Sequence, residues 1–143
     1  MFGELESITE GDKYIAYTYD ERGYLTKSST GITEDTYIYD ERGNVLEHTT
    51  TDKTVGEIRN TYTYDADNRT TSVITPLGIQ ALSYDKANRL IKSENNQTGS
   101  VRQIVYDQRG LPVSAITRLG DITLSIENNV YDFMGNKVRS EEN

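Results

Sequence analysis

The sequence predicts an all-β chain of tandem antiparallel β-hairpins forming a curved up-and-down sheet. Three observations predict it. The pair Tyr-Asp recurs six times, at successive gaps of 20, 25, 20, 22 and 25 residues. A glycine or asparagine stands four positions after each of those tyrosines. Between these points, apolar or aromatic residues alternate with small polar ones at period two, the pattern of a half-buried strand.

The turns come first. The repeated pairs are Tyr19-Asp20, Tyr39-Asp40, Tyr64-Asp65, Tyr84-Asp85, Tyr106-Asp107 and Tyr131-Asp132, followed by Gly23, Gly43, Asn68, Asn88, Gly110 and Gly135. A three-residue hairpin loop is a type I turn followed by one residue of positive φ, which glycine and asparagine adopt at least cost. Asp is favoured at the first turn position because its carboxylate accepts from backbone amides further along the turn. Asp-x-x-Gly/Asn meets both demands, which places hairpin turns at 20–23, 40–43, 65–68, 85–88, 107–110 and 132–135. The middle pair needs only to tolerate solvent.

The remaining turn signals fall at the other end of each hairpin. Gly11, Gly31 and Gly56 each precede the next repeat tyrosine by eight residues, Gly78 and Gly99 by six and seven, and Gly120 by eleven. Thr75-Pro76-Leu77-Gly78 and Asn95-Asn96-Gln97-Thr98-Gly99 carry supporting turn chemistry. Two strands of about six to eight residues fit in each repeat, about twelve strands in all.

The strands follow from the alternation. Tyr17/Tyr19, Tyr37/Tyr39, Tyr62/Tyr64, Leu82/Tyr84 and Ile104/Tyr106 each share one face, with Thr18, Thr63 and Ser83 on the other. The last repeat has Asn129 in place of the first member, which predicts a differently packed end. Leu25, Val45-Leu46, Leu90-Ile91, Val113 and Val138 on the return strands are placed to pack against a neighbour's tyrosine face.

Composition sets the limits. Ile, Val and Thr number 38 and Tyr adds 11, a mix that suits pleated strands, while only two prolines occur. The aliphatic content is low for a conventional core, so stability is expected to come from nearest-neighbour contacts and to depend on how the two ends are capped. Neither end looks capped. Exposed strand edges are therefore expected to pair with flanking repeats or with another copy. The whole chain, 1–143, reads as one repeat segment.

A net charge of -8 disfavours nucleic acid and anionic membrane surfaces as partners. No apolar run is long enough for a transmembrane helix, so no membrane insertion is expected. Met1-Phe2-Gly3-Glu4-Leu5-Glu6 lacks the cationic and apolar regions of a signal peptide, which places any export address outside this chain. With no cysteine, the chain has no disulfide and no thiolate site.

The inventory for chemistry is sparse. The single histidine, His48, sits in a polar stretch read as a strand end, a setting for a surface residue rather than a catalytic or metal-ligating one. Asp20-Glu21, Asp40-Glu41 and Asp65-Ala66-Asp67 are carboxylate pairs by type, but each lies on a solvated turn. No calcium loop and no phosphate loop occurs. Catalytic residues, metal ligands and cofactors are all expected to be none. Arg22, Arg42 and Arg109 share one turn position and are read as partners in local surface ion pairs. Tyr17, Tyr37 and Tyr62 admit two readings: cross-strand packing, or an aromatic platform that binds a saccharide.

Tyr-Asp-Glu-Arg-Gly-Asn-Val-Leu-Glu at 39–47 and Tyr-Asp-Lys-Ala-Asn-Arg-Leu-Ile-Lys at 84–92 resemble the YD repeat of the Rhs and teneurin-related families, and the likeness runs from about Tyr14 to Arg139. That resemblance implies a β-sheet spiral forming a hollow shell, a large secreted or cell-surface protein, and a C-terminal toxin enclosed before delivery. Six repeats would supply part of a shell's wall. The chain has no Asp-Pro pair, so the family's self-cleaving segment is not carried over. The expected function is a noncatalytic shell or scaffold segment that encloses or displays a toxin or other polypeptide. The alternative is a carbohydrate or cell-surface binding module that uses exposed tyrosines.

Overall fold

A computed structural model describes residues 6–10 and 13–143, with side chains from residue 14 onward. The turn expected at Gly11 and the stretch Met1 to Leu5 lie outside the described residues. The described residues form thirteen strands and no helix, so no helix is long and apolar enough to cross a membrane.

The strands fall into two compact units, residues 1–76 and 77–143. In the first unit the strands are β1 (Glu6–Glu10), β2 (Lys13–Tyr19), β3 (Leu25–Ser29), β4 (Thr33–Tyr39), β5 (Val45–Asp52), β6 (Gly56–Tyr64) and β7 (Thr70–Thr75). Each pairs antiparallel with the next. The second unit contains β8 (Gly78–Tyr84), β9 (Leu90–Asn95), β10 (Ser100–Tyr106), β11 (Pro112–Leu119), β12 (Ile122–Tyr131) and β13 (Lys137–Glu142), paired in the same consecutive manner. The tandem antiparallel hairpins are therefore as the sequence predicts. The strand beyond the expected twelve is β1, which precedes the first Tyr-Asp pair and carries no repeat signature of its own.

Among the described residues of each unit, strands touch only their neighbours in order, with no second layer of strands packed on them. Among the described residues only Ala115 (5% exposed) and Thr49 (8%) are buried, and no large side chain is fully enclosed. The physical consequence is that apolar burial is shared thinly along the strands and cannot by itself hold one hairpin to the next. Hydrogen bonds between hairpins must contribute.

Candidate functional site: the repeated tyrosine-aspartate turns

All six turns close in one way. The residue four after the tyrosine has positive φ each time: Gly23 82°, Gly43 88°, Asn68 62°, Asn88 63°, Gly110 83° and Gly135 87°. Its N–H donates to the aspartate carbonyl at 2.9–3.2 Å. The aspartate N–H donates in turn to the carbonyl one residue further, as Asp20 does to Tyr24 at 2.8 Å. That is a type I turn completed by a left-handed residue, the three-residue hairpin loop.

The carboxylates lie inside these loops. Asp20 Oδ1 accepts from the N–H of Arg22 and of Tyr24, both at 2.9 Å. Asp40, Asp65, Asp85 and Asp107 take the same two amides of their own turns at 2.8–3.0 Å. Asp132 accepts from Asn136 N–H at 2.8 Å. The second oxygen is also engaged, by a side chain that differs from turn to turn. Asn44 and Asn136 supply an amide, and Arg69 and Arg89 a guanidinium. Where a tyrosine or leucine occupies that place (Tyr24, Leu111), the arginine two residues after the aspartate supplies the bond instead: Arg22 and Arg109.

These bonds hold the turn carboxyls below the ordinary aspartate range. At Asp40 and Asp132 the leading cause is the asparagine side chain of Asn44 or Asn136. At Asp65, Asp85 and Asp107 it is the backbone N–H of Arg69, Arg89 or Leu111. At Asp20, desolvation is the largest influence and pushes upward, but the bonds from Tyr24 and Arg22 together outweigh it. Acceptors so occupied are poor general bases. No cluster of three or more metal-ligating side chains occurs among the described residues.

The tyrosines do something the sequence reading missed. Tyr39 Oη donates to Leu25 O at 2.6 Å, Tyr64 to Val45 O at 2.8 Å, Tyr106 to Leu90 O at 2.8 Å and Tyr131 to Pro112 O at 3.0 Å. Each acceptor is the first residue of the preceding hairpin's return strand. The reason is in the register. At every repeat tyrosine the pairing slips by one, as between Thr18 and Tyr19 or Ile38 and Tyr39, so the return strand carries an extra residue just after the turn. The backbone ladder to the next hairpin then begins only two residues later, with Lys27↔Thr36, Glu47↔Thr61, Lys92↔Gln103 and Ser114↔Asn128. The tyrosine side chain spans that opening and its hydroxyl takes the carbonyl that the ladder leaves. The sequence signal was available in the choice of Tyr over Phe at all six positions. Asn129, expected to mark a differently packed end, donates to the same Pro112 carbonyl as Tyr131, at 3.1 Å.

Arginines add a second tie between hairpins. Arg22 reaches Asp40 O at 2.9 Å, Arg42 reaches Ala66 O at 3.1 Å, and Arg109 reaches Asp132 O at 2.7 Å. The expectation of purely local ion pairs therefore needs correction. Arg22 and Arg109 do pair with their own aspartates, but all three arginines also bond the backbone of the following turn. Turn six departs in composition: its middle pair is Phe133-Met134, 98% and 85% exposed, where the other turns are polar or small.

On the tyrosine face of the first unit the rings form one row. His48 stacks on Tyr37 (4.6 Å, 2°) and Tyr37 on Tyr39 (6.4 Å), Tyr24 lies tilted against Tyr39 (5.2 Å, 32°), and Arg22 lies over Tyr24 (4.7 Å). Burial pushes the Tyr37, Tyr39 and Tyr64 phenols upward. His48 sits in the middle of β5 rather than at a strand end, opposite Tyr37, and its Nε2 lies 3.0 Å from Asp35 Oδ1. Thr50 Oγ1 donates to the same oxygen at 2.6 Å, and that bond leads in holding Asp35 below the usual range. Of the three candidate ligand-binding tyrosines, Tyr37 has its ring flanked by His48 and Tyr39, which favours packing for that ring. Tyr17 and Tyr62 are half-buried on β2 and β6.

Fold and turns together define a class: a tandem-hairpin repeat protein whose units are tied at one end by tyrosine, aspartate and arginine. Residues 64–98 match the RHS Repeat family. No curated protein matches it. Among solved structures, the chain is similar to the Photorhabdus luminescens Tc holotoxin pore carrying the TccC3 D651A mutation, at 14% identity and a TM-score of 0.75, over 96% of this chain and 8% of that one. It is also similar to the TcdB2-TccC3 structure, at 12% identity and a TM-score of 0.50, over 99% of this chain and 10% of that one. The chain thus spans a tenth or less of either.

Proposed function

We propose that this chain is a noncatalytic wall segment of a larger secreted or cell-surface Rhs-type protein, holding one repeat scaffold together around a toxin or other polypeptide. One observation carries the reading: the repeated Tyr, Asp and Arg groups are engaged in closing turns and tying hairpins, as at Tyr39, Asp40 and Arg42. Residues that elsewhere supply acid-base chemistry here supply architecture. The single-layer sheets support the same reading, because a sheet with two accessible faces suits a wall better than a self-contained core. The similarity to Tc toxin structures supports the fold, and the toxin context is taken from them as part of the proposal.

The test is protease protection. The parent polypeptide is digested with and without residues 14–143. Faster loss of the adjoining polypeptide after deletion supports a wall, and unchanged digestion overturns it. A glycan array is expected to stay blank, and a saccharide signal removed by Tyr17→Ala or Tyr62→Ala would favour a binding module.

A further inference from the structure

We propose that the opening between the second and third repeated turns binds a small carboxylic acid with an apolar or aromatic body, held by the free edge of the Arg42 guanidinium. Turn two alone among the six combines an arginine two residues after its aspartate with an asparagine four residues after it. In turns one and five, where Tyr24 or Leu111 takes the latter place, Nε and Nη2 of Arg22 and Arg109 are occupied by Oδ2 of Asp20 and Asp107, at 2.9–3.1 Å. In turn two, Asn44 Nδ2 takes Asp40 Oδ2 at 2.9 Å and displaces the arginine. Arg42 is left without an ion pair among the described residues. Its Nη1 alone is bonded, to Ala66 O at 3.1 Å and Asn68 Oδ1 at 3.3 Å. Those two bonds hold the guanidinium across the seam and leave the Nε and Nη2 donors open. That edge is the fork that matches the two oxygens of a carboxylate.

The walls select what the carboxylate carries. Arg42 lines a pocket of about 470 Å³ with Leu46, Tyr62 and Tyr64, a volume that suits a small molecule. Leu46 is 37% exposed, and the Tyr62 hydroxyl has no hydrogen-bond partner among the described residues. The Tyr64 hydroxyl is committed to Val45 O, so its ring offers only a surface. Asp40 and Asp65 line the same pocket. Asp65 is paired with Arg69 at 2.7 Å, and Asp40 is held by three donors of its own turn. Their charge still opposes a dianion, which favours a carboxylate over a phosphate and keeps the binding weak. Every residue lining the pocket belongs to the first unit, between two consecutive hairpins, so the site depends on neither end of the chain nor on what the wall encloses.

Titration of the 143-residue chain with hydrocinnamate, followed by amide NMR, tests it. The expected dissociation constant is on the order of 1–10 mM and rises with salt, with the shifts gathered at Arg42, Leu46 and Tyr62. Hydrocinnamyl alcohol, which keeps the ring and lacks the carboxylate, and inorganic phosphate should each bind at least about 5-fold more weakly. Arg42→Gln should weaken hydrocinnamate binding by about 5-fold or more, and Arg118→Gln should leave it within about 2-fold of the parent. Asn44→Leu is the sharper variant, because it rebuilds turn five, returns the arginine to Asp40 and alters no residue that lines the pocket. It should cost about 5-fold while the chain retains its β circular dichroism. Absence of saturable shifts, an equal response to the alcohol, or an Asn44→Leu chain that binds like the parent would overturn the proposal.

Discussion

The hairpins have two ends, and the ends differ. At the Tyr-Asp end, six turns use one solution, an aspartate-closed loop with a left-handed glycine or asparagine. At the other end, three of the described turns share a looser device, a side-chain oxygen that accepts from the N–H groups two and three residues on, with a different residue type supplying it each time. Thr30 closes the loop before Thr33 through its hydroxyl, Asp52 caps Thr54 and Val55, Asn95 caps Gln97 and Thr98, and Gly120-Asp121 forms a two-residue link between Leu119 and Ile122. The repeated end is where Tyr and Arg carry bonds to the neighbouring hairpin. Turns at the other end also bond their neighbours, as Lys53 does at the carbonyls of Gly31 and Ile32 (2.8 and 3.2 Å), but no residue type repeats there from turn to turn to make the bond.

The largest expected effect attacks all six repeated turns at once. Their aspartates have folded-state values below the unfolded one, about 3.9, so their contribution is fully present above that pH and is lost as pH falls through the folded values. Melting temperature should therefore drop steeply below about pH 4. The half-buried phenols work in the opposite sense: Tyr37, Tyr39 and Tyr64 contribute below about pH 10, and that contribution fades as pH rises through their raised values. An acid-insensitive melting temperature would break the comparison.

Gly43→Ala comes next. Its φ is 88°, and a Cβ there would lie 2.6 Å from the Tyr24 hydroxyl, so the variant should lose about 2 kcal/mol or more in denaturant titration. Gly23→Ala, with a φ of 82° but open space around it, should lose about 1 kcal/mol. Tyr39→Phe and Tyr64→Phe remove one hydroxyl each and are expected to cost about 0.5–1.5 kcal/mol. Gly31→Ala, at the variable end with no positive φ and no neighbouring atom, should stay within about 0.5 kcal/mol of the parent. If Gly31→Ala proved as costly as Gly43→Ala, the two ends would not differ as described.

The turns were legible in the sequence because Asp-x-x-Gly/Asn is local chemistry, decided within four residues. The ties between hairpins were not. Tyr39 and Leu25 are 14 residues apart, and Arg109 and Asp132 are 23 apart; nothing in either local stretch announces the bond. The extra residue after each turn opens the seam, and only the pairing register reveals it. His48 was misplaced to a strand end because its polar neighbours Glu47, Thr49 and Thr50 hid a continuous strand of threonines. The strand β1 lacks the repeat's tyrosine and so escaped the count.

The most direct test follows the carboxyl groups themselves by NMR from pH 2 to 7. If a bonded aspartate closes every repeated turn, Asp20, Asp40, Asp65, Asp85, Asp107 and Asp132 should each titrate below about 3.9, and the amide signals of Arg22, Tyr24, Arg42 and Asn44 should move with the nearby carboxyl. Turn aspartates that titrate at or above the unfolded value, with those amides unmoved, would contradict the account.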